Sequence, residues 1–269
     1  MFPGRLSVNP SLWLSHCLKE KSTLKFNWRI GVLLTMVVGL GLYLLSRPPL
    51  PQSLAYHHFA DRRLILGIPN FFDVLSNLPF LLVGGWGLKY TFDNPQQAAP
   101  WSWRVLFVGV LLVSAGSAYY HWAPTNATLV WDRLPMTIGF MGLFVAMLCE
   151  YIDPKLERYL LIPFVLLGFV SVFYWHLFDD LRLYAWVQAA PLLSILVLLL
   201  LFPAPFTHKH LLFFSFVSYI LAKVTEHQDK IIYAKTQGMV SGHTIKHLLA
   251  GMGVFWLLWL LKKRTFPAK

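Results

Sequence analysis

Apolar residues along this chain arrive in unbroken blocks, without the three-to-four spacing of an amphipathic helix or the alternation of a half-buried strand. Eight blocks stand out: Trp28–Leu45 and, roughly, residues 71–90, 103–121, 134–149, 160–174, 184–202, 211–222 and 243–261. The block at 211–222 is short and its end is poorly marked. A helix needs about 20 mostly apolar residues to cross the hydrocarbon of a bilayer. Backbone groups cannot go unpaired in lipid, so these blocks are predicted to cross as α-helices. Outer-membrane strands would alternate apolar and polar residues, and these do not. The expected fold class is therefore all-α, a polytopic membrane helical bundle with a seven-helix core and one extra N-terminal transmembrane helix. The connector 46–70 opens on Arg47-Pro48-Pro49-Leu50-Pro51, a rigid stretch that no helix continues through. Residues 1–50 are thus read as an N-terminal segment carrying the extra span, and 51–269 as the seven-span core. The remaining connections are short, so successive helices should pack antiparallel. No internal repeat and no domain outside the membrane is expected.

Composition agrees with this. Hydrophobic residues fill 57% of 269 positions and charged residues 13%, against about 25% charged in an ordinary soluble domain. A net charge of +11 would suit nucleic acid, but its distribution points elsewhere. With eight spans both termini share one side of the membrane, and that side collects the larger share of Lys and Arg. The positive-inside rule then puts both termini in the cytoplasm, and compact loops suit a bacterial inner membrane. The first 27 residues are mixed in character and followed by no small-residue cleavage site, so Trp28–Leu45 reads as a permanent span and not a signal peptide. Cys17 and Cys149 both fall on the presumed cytoplasmic side, where no structural disulfide is expected.

Polar residues inside such spans are costly, and their default reading is functional. Three helix ends carry most of them: Gly116-Ser117-Ala118-Tyr119-Tyr120-His121, Trp131-Asp132-Arg133-Leu134-Pro135 and Gly242-His243-Thr244-Ile245-Lys246-His247. In a seven-helix serpentine, the end of core helix two and the starts of helices three and seven lie at one membrane face, the outer one in this orientation. Ser117 and His121 are four residues apart, as are His243 and His247, so each pair shares a helix face. Three histidines at one depth match a three-His zinc site with an open fourth position, the catalytic arrangement. Zinc so held lowers the pKa of a bound water to about 7. Asp132 could carry that water's proton to a leaving group, and Ser117 could donate a hydrogen bond to the water or to a developing oxyanion. Each feature alone has a bland explanation: an interfacial His, a Ser bonded to its own backbone, an Asp paired with Arg133 or capping a helix. Five coincidences at one face are needed for the bland account, and the metal site is preferred.

The set Ser-x-x-x-His, then Asp eleven residues on, then His-x-x-x-His opening the last helix resembles the alkaline ceramidases. It is also similar to their wider superfamily of seven-span, zinc-dependent membrane hydrolases, which includes the adiponectin and progestin receptors. Asp132-Arg133-Leu134-Pro135-Met136, Ser76-Asn77-Leu78-Pro79-Phe80 and His247-Leu248-Leu249-Ala250-Gly251 resemble three further stretches of that family. The likeness runs from near Asp61 to Leu261. It implies zinc on His121, His243 and His247, catalytic roles for Asp132 and Ser117, and hydrolysis of ceramide or a related lipid amide to a fatty acid and a long-chain base. The rival expectation is a seven-helix lipid receptor with a structural zinc; a transporter ranks third, since its polar groups should lie nearer the bilayer midplane. Partners on either leading reading are lipids, with no nucleic acid. Eukaryotic members bind calcium through an acidic run and a Glu on helix one. No such run is present here, and Asn70 stands about where that Glu would fall. Asp61 and Asp73 alone make a poor cage for an ion wanting 6–8 oxygens, so Ca2+ is disfavoured.

Other polar residues carry weaker expectations. Asn70, Asp73 and Asn77 form a stripe that either bonds a neighbouring helix or walls a headgroup site. Lys246 needs an acid, with Glu226 and Asp73 the candidates. Glu226–Lys230 has the spacing of an ion pair. His176, Asp179 and Asp180 read as an exposed loop in preference to a second metal site, and His57-His58 and His208/His210 as interfacial.

Overall fold

The computed structural model describes residues 27–265. Its helices are α1 (Trp28–Leu45), α2 (Phe71–Leu75), α3 (Leu78–Asp93), α4 (Pro100–Trp122), α5 (Asn126–Tyr151), α6 (Leu156–Phe178), α7 (Arg182–Leu201), α8 (His210–His227), α9 (Asp229–Lys235) and α10 (Gly242–Lys263). The protein is an all-α polytopic membrane bundle. Seven segments are long and apolar enough to cross a bilayer: α1, α2 with α3, α4, α5, α6, α7 and α10. The block predicted at 211–222, found as α8, has 18 residues but falls short on apolarity, because Lys223, Glu226 and His227 occupy its last turns. Cys149 is buried and free near the end of α5, while Cys17 lies outside the described residues.

Local chemistry sets the helix boundaries. Asn27 caps α1, its Oδ1 accepting from the Arg29 amide at 3.1 Å. Thr125 and Thr128 form a reciprocal cap at the start of α5. That cap moves the start of α5 eight residues ahead of the predicted span, so Asp132 and Pro135 lie within the helix and not at its opening. Ser241 caps α10, accepting from the Thr244 amide at 2.9 Å. A short break at Ser76-Asn77 separates α2 from α3, and Asn70 enters α2 with φ 47°.

Helix α4 packs along α5, α3 along α4, and α10 along α8 and α3. The α4–α5 contact is close because glycines line it. A Cβ on Gly116 would collide with the Trp131 carbonyl, and one on Gly142 would stand 2.6 Å from the Leu106 amide nitrogen. The apolar core sits toward the other end of the bundle, around Trp103, Phe107, Val145, Leu198 and Leu258. Helix α1 leans against α7, with Trp186 Nε1 donating to the Val37 carbonyl at 2.9 Å, and Leu33 is its one buried residue among those described. Beyond it the connector is strapped down. Asp180 Oδ1 accepts from the Leu50 amide at 3.2 Å, Asp179 Oδ1 accepts from the Gln52 amide at 2.9 Å, and Arg182 donates to the carbonyls of Leu45 and Arg47.

Candidate metal centre

The tight α4–α5 seam carries His121 and Asp132 to the same end of the bundle where capped α10 begins with His243 and His247. There the three imidazoles converge. Each offers a ligand nitrogen, and these atoms all lie within 4.8 Å of one another. His121 Nε2 and His243 Nε2 face each other at 3.2 Å, and the three rings are buried, with centroids 4.6–4.9 Å apart. Neutral imidazoles are good ligands for zinc, and three buried ring nitrogens converging on one point supply the donor set such an ion takes. The residues fit a metal ion.

Their surroundings orient them. Ser76 Oγ meets His247 Nδ1 at 2.7 Å, leaving Nε2 of that ring to face its partners, the arrangement of an outer-sphere group on a ligating histidine. Asn70 Nδ2 donates to the His121 carbonyl at 2.7 Å. Asp73 Oδ1 accepts from Ser241 at 3.0 Å and from Thr244 Oγ1 at 2.8 Å. Asp229 Oδ1 accepts from the His243 amide at 2.8 Å. Two carboxylates thus sit at the positive N-terminal end of α10, where the helix dipole favours them. Of the polar stripe, Asn70 and Asp73 accordingly bond neighbouring helices, and Asn77 Nδ2 donates back to the Asp73 carbonyl. Phe59, from the connector, covers His121 and His243 with ring centroids 4.6 and 4.7 Å away.

Ser117 and Asp132 are buried and line one cavity together with His247 and Lys246. That cavity, about 170 Å³, is otherwise lined mostly by apolar side chains, with Ser215 and Tyr219 among them, and runs between α3, α4, α5, α7, α8 and α10 past Phe80, Val110 and Leu143 to Leu257. All five candidate residues therefore belong to one neighbourhood. Arg133 does not pair with Asp132. Its guanidinium donates to Gln52 Oε1 at 2.6 Å and stacks over Trp175 at 4.1 Å and Tyr184 at 4.7 Å.

Compared with protein-family models and with curated proteins, the chain matches none.

The remaining polar expectations divide. Lys246 pairs with Glu226 at 2.7 Å, the first of its two candidate acids. Glu226 does not pair with Lys230 as its spacing suggested. Lys223, Lys246 and the Tyr56 hydroxyl take both its oxygens, because the fold brings three donors to it from three segments. Burial, then the nearby Glu226 carboxylate, pushes the Tyr56 phenol well above its ordinary pKa, so it remains a donor to that carboxylate. Asp180 is bound to Arg182 at 2.6 Å, and Asp61 to Arg63 at 2.6 Å. His57 is no free interfacial side chain: its ring nitrogens contact the Tyr120 hydroxyl and Asn126 Oδ1, each at 2.9 Å. Sequence reasoning did not single out Phe59, Ser241 or Asp229. Only Ser241 left a signal, as a Ser three residues ahead of Thr244 at a helix start.

Proposed function

We propose that the protein is a zinc-dependent membrane amidase, kin to the alkaline ceramidases, hydrolysing ceramide or a related lipid amide to a fatty acid and a long-chain base. What carries the reading is the company the three histidines keep. A carboxyl group, Asp132, and a hydroxyl, Ser117, line an apolar cavity that also reaches His247, and a purely structural metal needs neither.

Zinc, when bound, supplies Lewis acidity and makes water nucleophilic at neutral pH. His121, His243 and His247 would hold it, with Ser76 fixing the ring of His247. Asp132 takes the proton of the attacking water and returns it to the amide nitrogen. Ser117 donates a hydrogen bond to the oxygen on which charge develops. The carbonyl carbon gains a bond to the water oxygen, the C–N bond breaks, and the nitrogen leaves as an amine. An acyl chain lies along the apolar cavity, which excludes water from its length. In the cell we place both termini in the cytoplasm and the site toward the outer face of a bacterial inner membrane, with α8 crossing beside α10 as the eighth span despite its lower apolarity.

The decisive experiment incubates purified protein with a panel of fluorescent ceramides, with and without a chelator. Wild type should release fatty acid in a chelator-sensitive way and carry one zinc per chain. Changing His121, His243 or His247 to Ala should abolish both metal content and turnover. Hydrolysis by a metal-free variant would overturn the mechanism. Tight lipid binding without turnover would replace the enzyme with a receptor whose zinc is structural.

A further inference from the structure

A second cleft adjoins the metal centre from the opposite side. It has a volume of about 480 Å³, opens beyond the histidines, and is lined by Tyr56, His58, Lys223, Glu226, Lys230 and His243 among others. Its boundary with the apolar cavity is an ion pair. Glu226 and His243 face the cleft, Lys246 and His247 face the cavity, and Lys246 Nζ lies 2.7 Å from Glu226 and 3.4 Å from His243 Nε2. An amide held at the histidines with its acyl chain in the apolar cavity has its other half in this cleft.

The chemistry of the cleft is lopsided. Its two carboxylates are spent on the protein itself. Glu226 Oε1 accepts from Tyr56 and Lys246, and its Oε2 from Lys223. Asp229 Oδ1 accepts from the His243 amide and its Oδ2 from the Ala60 amide, both at 2.8 Å. The cations are in surplus. Lys223 and Lys230 line the cleft and Lys246 stands behind Glu226 at its boundary, three ammonium groups around two carboxylates. Lys223 and Lys246 share Glu226, Lys230 is exposed with no acidic partner among the described residues, and the exposed rings of His58 and His227 add donors. A head of hydroxyls or an ammonium finds no unoccupied carboxylate here; an oxyanion finds ammonium groups already in place.

Building on the hydrolase reading above, we infer that the headgroup this cleft accepts is anionic, so that the preferred substrate is an N-acyl compound bearing a carboxylate or phosphate a short reach from the scissile amide, ahead of neutral ceramide. Lys230 is the specificity-determining side chain, and Lys223 and Lys246 supply the field behind it.

The test uses full-length protein in lipid nanodiscs and three amides sharing one acyl chain, with carboxylate, phosphate and neutral hydroxyl heads. Uncleavable ether analogues of all three are measured in parallel for binding. The anionic amides should exceed the neutral one in kcat/KM by about tenfold. Lys230→Glu should cut that ratio about fivefold, and Lys230→Arg should restore it. Whichever anionic head leads identifies the group recognised. A neutral head that does as well as the anionic ones, or a ratio that Lys230→Glu leaves unmoved, overturns the inference. If no amide is cleaved, the hydrolase reading fails by itself. The ether analogues then decide the headgroup question alone, tighter anionic binding supporting the inference and equal binding overturning it.

Discussion

At the scale of single residues, the histidines owe their usefulness to neighbours that hold them still. Ser76 is the clearest case, since its hydroxyl contacts the nitrogen of His247 that faces away from the other rings, at 2.7 Å. Removing it leaves the ring free to turn. Ser76→Ala should weaken zinc binding by about 10–100-fold, measured by competition with a chromophoric chelator, while melting temperature changes little. Unchanged affinity would mean the ring is oriented by packing against Phe80, 6.1 Å away, and not by the hydroxyl. Asp180 makes a different prediction, about pH. Hydrogen bonds from Arg182 hold its pKa down to about 2 from an ordinary 3.8. A carboxylate with a depressed native pKa stabilises the fold above its unfolded pKa and loses that contribution as pH falls through the native value. The gap in melting temperature between wild type and Asp180→Asn should therefore be constant above about pH 5 and close between about pH 4 and 2. A gap that persists at the acid end would show that the strap on Leu50 does not depend on charge.

At the scale of helices, the seam between α4 and α5 governs where His121 and Asp132 meet. Gly116 has no room for a methyl group, because the Trp131 carbonyl occupies it, whereas nothing lies within 4 Å of a Cβ on Gly85. Alanine is the better helix former at either position. Gly85→Ala should thus be neutral or slightly stabilising, and Gly116→Ala should cost about 1–3 kcal/mol through forced separation of the two helices, read as a lowered melting temperature and a loss of bound zinc. Equal effects of the two would remove the seam from the account of the site. This same contact marks how far the sequence could be read. The apolar blocks announce the helices and the three histidines announce the cluster in which their rings meet, because both signals are local and costly in lipid. The start of α5 was not legible: Pro135 looked like a first-turn proline, yet the Thr125–Thr128 cap begins the helix earlier and carries the proline inside it. The partners of Glu226 were half legible, since it was one of the two acids expected for Lys246. Four-residue spacing also pointed to Lys230, and that pair does not form, because packing of α8 on α10 brings Lys246 to the carboxylate. Phe59 could not have been found at all, since a connector residue reaches the histidines only once the whole bundle is assembled.

At the scale of the whole molecule, the candidate site is gathered at one end and the larger apolar cluster toward the other, and α1 touches only the second, through Leu33 and Met36. It leans on α7 through Trp186 and buries Leu33, while the strap at 50–52 that reaches Gln52 and Arg133 lies beyond its end. The contribution of α1 then lies in topology and not in shape. In the orientation proposed above, α1 carries the chain across the membrane to the connector 46–70; without it, that connector would have to be delivered across by some other means. This predicts that the identity of the span is immaterial and its presence is not. Replacing Trp28–Leu45 by an unrelated Leu/Ala helix of equal length that keeps Leu33 and Gly41 should preserve the zinc content and lipid turnover proposed above within about twofold, since the rest of its packing on α7 is weak. Deleting it should lower the amount of correctly inserted protein, scored by cysteine labelling of the 46–70 connector from either side of the membrane, while any protein that does insert correctly keeps its zinc. Loss of zinc from the replaced but correctly inserted chain would show instead that α1 shapes the site through α7, and the separation between the appended helix and the core would have to be abandoned.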